Sequence, residues 1–116
     1  MVGAYNRKGK GRTLAATGEK ISEFDTVVAR RIWVMNDAND LLVTLNANDF
    51  GDGAVTTYQP NGKTLVELGV NPNGGLIDII NKTGESIANM YADEYGNGVV
   101  GAWNRKGKGR TLKPGP

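Results

Sequence analysis

The residues with the most chemistry to offer are two copies of one basic stretch. Asn-Arg-Lys-Gly-Lys-Gly-Arg fills residues 6–12 and again 104–110, beside Tyr5 and Trp103. Arg and Lys interleaved with Gly let the backbone approach phosphate oxygens, and an adjacent aromatic ring offers a face on which a base can stack. Brought together, Arg7, Lys8, Lys10, Arg12, Arg105, Lys106, Lys108 and Arg110 would form an eight-charge patch suited to a polyanion, either a nucleic acid or an acidic polysaccharide. The plainer reading is a pair of solvated hairpin loops, or cations that meet acids on another copy of the chain.

Acidic Gly-rich loops come next. NANDFGDG (46–53) and ADEYGNG (92–98) place oxygen donors on a flexible backbone, and calcium takes such ligands. The spacing is not that of a calcium-binding loop, however, and the matching stretch GVNPNGG (69–75) has no carboxylate. Turn chemistry alone accounts for Asn, Asp and Gly there. The expectation is no metal site, with Asp49, Asp52 and Asp93 as the weak calcium candidates. Gly62-Lys63-Thr64 echoes a phosphate-binding loop, but Thr57 stands where its first Gly belongs and no helix follows. Adjacent carboxylates at Asp93 and Glu94 would point to opposite faces of a strand, a poor arrangement for acid–base work. With no His and no Cys in the chain, Ser-His-Asp and Cys-His catalysis and all disulfides are excluded. No cofactor fingerprint is readable either. The expectation is a non-enzymatic protein without a cofactor.

These residues sit in a strongly patterned chain of 116 residues, 17 of them Gly. That length allows one domain with a modest core. Net charge is only +2, yet it is segregated: +4 over residues 1–18, −7 over 19–94 and +5 over 95–116. Two basic ends flank an acidic middle. The ends are near-copies, because MVGAYNRKGKGRTL (1–14) matches VVGAWNRKGKGRTL (99–112) at 12 of 14 positions. The interior repeats more loosely. Residues 31–53, 54–75, 76–98 and 99–116 read as repeat units, residues 1–16 as an N-terminal copy of the last unit, and residues 17–30 as a connector. A period of 20–50 residues points to a stacked or arrayed architecture.

Each unit opens with a short strand. Its second and fourth positions (Ile32 and Val34, Val55 and Thr57, Ile77 and Ile79, Val100 and Ala102) are β-branched or small, as one buried face requires. The fifth position (Met35, Tyr58, Ile80, Trp103, and Tyr5 in the N-terminal copy) is largely apolar on the other face. A four-residue turn follows, ending in Gly four times and in Asn once, the residues that best accept positive φ. The second strand is LLVTL, TLVEL or SIANM, and a longer Gly-rich connection leads to the next unit. A short helix is conceivable only over residues 19–25. The fold class is therefore all-β with two strands per unit, arranged as a β-solenoid, a hairpin meander or barrel, or an intertwined β oligomer.

Short β-branched strand, N-x-x-G-K, L-V-x-L strand and G-N-G, closing on GNGVVGAWNRKGKGRTLKPGP, form a pattern that resembles tandem Gly-rich β repeats of uncharacterised bacterial proteins. The resemblance covers residues 26–116. It implies a repeat scaffold and carries no activity or catalytic residue.

No apolar run is long enough to span a membrane as a helix, and the start MVGAYNRKGK does not read as a signal peptide. Together these features lead to an expected function as a structural protein whose partner is itself. The apolar residues Tyr5, Trp33, Tyr58, Ile80 and Trp103 and the twin basic hairpins are the expected contacts. The alternative is polyanion binding through those hairpins.

Overall fold

In the computed structural model, the described residues are 20–115, together with the backbone of two short N-terminal strands, β1 (Ala4–Tyr5) and β2 (Gly11–Arg12). Eight further strands follow: β3 (Ile32–Met35), β4 (Leu41–Ala47), β5 (Gly53–Tyr58), β6 (Thr64–Asn71), β7 (Gly74–Ile80), β8 (Ser86–Ala92), β9 (Gly98–Trp103) and β10 (Gly109–Leu112). They form one antiparallel sheet in chain order, with β3 and β10 at its edges. The chain is all-β, and its architecture is the open hairpin meander. Each repeat unit supplies two neighbouring strands, and the unit borders at 53/54, 75/76 and 98/99 fall where β5, β7 and β9 begin. No helix forms over residues 20–25, the described part of the stretch considered for one. A stretch of six residues is too short to offset the cost of helix nucleation.

Tight turns set this topology. In turn 36–39 the Asn36 N–H donates to the Asp40 carbonyl at 3.1 Å, and the Asn36 carbonyl accepts from the Asn39 N–H at 3.0 Å. The same two bonds recur in turns 48–51, 59–62, 81–84, 93–96 and 104–107. The fourth residue is left-handed each time, Asn39 at φ 64° and Gly51, Gly62, Gly84, Gly96 and Gly107 between 82° and 93°. Side chains reinforce the turn. Oδ1 of Asn36, Asn48, Asn81, Asp93 and Asn104 accepts the backbone N–H groups two and four residues further on. Turns 48–51 and 93–96 lie inside the stretches expected to be long connections. They are hairpins of the same grammar at the opposite end of the sheet, and β4, β6 and β8 run correspondingly longer than their apolar cores. The remaining hairpin of the eight-stranded sheet turns at the pair Pro72–Asn73, where the Asn73 N–H donates to Asn71 Oδ1 at 2.8 Å.

Asn48→Ala removes the acceptor for the Phe50 and Asp52 N–H groups (2.9 and 3.0 Å). It should cost about 1–2 kcal/mol of stability, read as a lower urea midpoint. Asn48→Asp should keep the midpoint, because Asp93 already performs this task in turn 93–96.

Strand register sorts the side chains onto two faces. One face carries an unbroken row, one residue per strand: Ile32, Leu45, Val55, Leu68, Ile77, Met90, Val100 and Leu112. Beside it runs a second row of Val34, Val43, Thr57, Val66, Ile79, Ala88, Ala102 and Arg110. The opposite face has a polar middle row of Trp33, Thr44, Thr56, Glu67, Asp78, Asn89, Gly101 and Thr111. Among the described residues only Thr44, Val99 and Gly101 are buried. The sheet is a single layer, and the face expected to be buried is open: Leu68 is 40% exposed, Met90 51% and Leu112 72%. Period-two patterning fixes which residues share a face, and among the described residues no second sheet or helix packs over it.

Candidate assembly surface

The open apolar face has relief as well as composition. Next to the Ile32–Leu112 row, the face is lined by Gly75, Ala92 and Gly98, which leave a shallow groove beside Leu68, Ile77, Met90 and Val100. A ridge of large aliphatic side chains thus borders a valley of small ones. Of the paired strand positions on this face, only Arg110 is charged; at the β3 side, Arg30 and Arg31 border the row beside Ile32, Leu45 and Val55.

The other face is closed differently. Trp103 lies over Gly101 and against Gly109: a Cβ at 101 would fall 2.6 Å from Trp103 Cζ3, and one at 109 would fall 2.7 Å from Trp103 Cδ1. Asn89 Oδ1 sits beneath this ring, buried and without a hydrogen-bond partner among the described residues. The Thr44 and Tyr58 hydroxyls are 3.3 Å apart, and the Ser86 hydroxyl donates to Asp78. Gly101→Ala should displace the indole ring at a cost of about 1–3 kcal/mol. A lower urea midpoint and a red-shifted tryptophan emission are the expected readings.

The expected contact residues fall out as follows. Tyr58, Ile80 and Trp103 share the Trp-bearing face and are half-buried, while Trp33 stands on the same face in the polar row, opposite Thr44. The side chain of Tyr5 lies outside the described residues. Missed altogether was the Ile32–Leu112 row as a continuous surface. Its signal, one aliphatic residue per strand, was present in the sequence, but it becomes a row only once the pairing register is known.

Charge is ordered along the two sheet ends. The turns at one end, 48–51, 72–73 and 93–96, and their flanks bring Asp49, Asp52, Asp93 and Glu94, while Arg30 and Arg31 lead into β3 at that end beside Asn46 and Gly53, and Lys113 follows β10 there. Asp93 uses Oδ1 within its own turn, accepting from Tyr95 and Asn97. No group of three or more potential metal-ligating His, Cys, Asp or Glu occurs among the described residues, so the calcium candidates are not drawn together. The other end runs from acid to base. Asp37 and Asp40 lie at the β3 edge, Lys63, Lys82 and Glu85 in between, and Arg105, Lys106 and Lys108 at the β10 edge. Neighbouring turns on this end feel each other. The hydrogen bond from Thr83 holds the Glu85 carboxyl below its ordinary value, and the charge of Arg105, one turn away, acts in the same direction.

Arg105, Lys106, Lys108 and Arg110 are all exposed. Arg7, Lys8 and Lys10 lie outside the described residues, and Arg12 is described as backbone only. The two strands of the N-terminal copy pair in the same register as β9 and β10. Ala4 pairs with Arg12 and Tyr5 with Gly11, as Ala102 pairs with Arg110 and Trp103 with Gly109.

Fold and surface together define an open β-meander of hairpin repeats whose apolar face and two outer edges are uncovered by any other strand among the described residues. No protein-family model matches the chain, and no curated protein is significantly similar to it.

Proposed function

We propose that this chain is a non-enzymatic structural repeat protein whose copies assemble into a homo-oligomer or filament. Strand edges, the apolar face and basic-to-acidic contacts join the copies. The observation that carries this reading is the aliphatic row that crosses all eight strands from Ile32 to Leu112, in contact with solvent on an isolated chain. Each large aliphatic side chain moved from water into an interface stabilises it by about 1.5–3 kcal/mol. A continuous apolar patch of this extent on a soluble protein marks an interaction site. Free edges add unpaired backbone donors and acceptors.

Exposed Arg105, Lys106, Lys108 and Arg110 support polyanion binding as the second reading. Sedimentation velocity over a wide range of protein concentration, with and without single-stranded DNA, separates the two. Self-assembly predicts a sedimentation coefficient that climbs with protein concentration in the absence of DNA. A single slow boundary at every concentration, converted to a fast one only by DNA, would transfer the function to the basic turns.

A further inference from the structure

We infer that the free edge of β3 is the docking site for β10 of a second copy, in a register that the chain already uses three times. This inference rests on the self-assembly reading and specifies its contact. The sheet alternates first and second strands of the repeat unit, and each second strand pairs with the first strand of the next unit. Leu45 faces Val55, Leu68 faces Ile77 and Met90 faces Val100. Among the described residues, β10 is a second strand with no first strand beyond it in the sheet, and β3 is a first strand with no second strand before it there. Each edge therefore lacks the partner that the other supplies. Continuing the pattern between copies places Leu112 on Ile32, Thr111 on Trp33 and Arg110 on Val34.

Two independent features favour this match. The aliphatic row continues through the joint without a break, because Leu112 ends it on one copy and Ile32 begins it on the next. Electrostatics agree at the turn end of the joint, although the same register brings Lys113 opposite Arg31 at the other end. The joint sets the turn bearing Arg105, Lys106 and Lys108 beside the turn bearing Asp37 and Asp40, two strands apart at about 10 Å. That is the relation in which Arg105 already acts on Glu85. Pairing β3 with β3 of another copy would instead join two first strands, a combination found nowhere in the sheet. The N-terminal hairpin also carries the β10 sequence, since residues 11–14 repeat residues 109–112. Its strand β2, however, pairs with β1 in a sheet separate from β3. A joint between different edges is heterologous, so it propagates into a ring or an open filament.

The chain has no Cys, which makes single thiols clean reporters. Chains with Ile32→Cys and chains with Leu112→Cys, mixed and mildly oxidised, should give a disulfide-linked dimer that neither chain gives alone. A short bifunctional thiol reagent, applied in parallel, relaxes the geometric demand of the disulfide. Leu112→Cys mixed with Val34→Cys, two residues out of register, should link far less. Linked dimers from Ile32→Cys chains alone would overturn the inference in favour of a two-fold edge contact. A link within one chain carrying Leu14→Cys and Ile32→Cys would overturn it in favour of the chain's own hairpin. Light scattering on the same samples keeps the two levels apart. An oligomer without the in-register link defeats the inference and leaves self-assembly standing, whereas a monomer defeats both.

Discussion

Leu68→Lys should reduce the protein to 12.4 kDa monomers under conditions in which the unaltered chain assembles. Leu68 lies near the middle of the aliphatic row, between Val55 and Ile77. On an isolated chain it is 40% exposed, and a Lys there can reach water, so monomer stability should move by no more than about 0.5 kcal/mol. In an assembly that covers the row, the same change removes the burial of a leucine and puts a charge into an apolar layer. Together these cost about 3 kcal/mol or more, a loosening of at least ~100-fold in the assembly constant. The control is the adjacent residue on the opposite face. Glu67 faces Thr56 and Asp78 in the polar row, and Glu67→Lys should leave particle size unchanged.

The second large effect concerns charge. Reversing Arg105, Lys106, Lys108 and Arg110 together to Glu should dissolve the assembly at low ionic strength. An exposed ion pair contributes about 0.5 kcal/mol, and reversal turns attraction into repulsion. Four reversals facing Asp37 and Asp40 of a neighbour therefore amount to ~4 kcal/mol, close to 1,000-fold in the assembly constant. Salt works on both sides of this comparison. It weakens the attraction in the unaltered chain and the repulsion in the variant, because the charges act across about one Debye length. The two should thus differ most at low salt and converge as salt rises. Identical particle sizes at low salt would remove the ionic contribution from the account.

Much of the fold was legible because the chain repeats its local rules. Asn or Gln at the first place of a turn and Gly or Asn at the fourth identified turns 36–39, 59–62, 81–84 and 104–107 by residue type alone. Turns 48–51 and 93–96 obey the same rule, but each is embedded in a run rich in Asn, Asp and Gly where several frames fit. In the latter the acceptor is Asp93 rather than Asn. Only the hydrogen bonds select the frame. Which residues share a face was equally legible, since period two settles it within each strand. What lies over each face was not. Ile32, Val34, Ile79 and Val100 are typical core residues, yet all are exposed here. A single sequence cannot distinguish burial inside one chain from burial between chains. Trp33 illustrates the difficulty from the other side: its size suggested the line of Tyr58, Ile80 and Trp103, but register puts it one place away, opposite Thr44.

Self-association changes molar mass before any other property. Static light scattering of the unaltered protein behind a gel-filtration column, at low and high salt, gives that mass. An assembling chain gives several times 12.4 kDa in both buffers, with a smaller value at high salt as the basic-to-acidic contacts are screened. A single monomer mass in both buffers would contradict self-association.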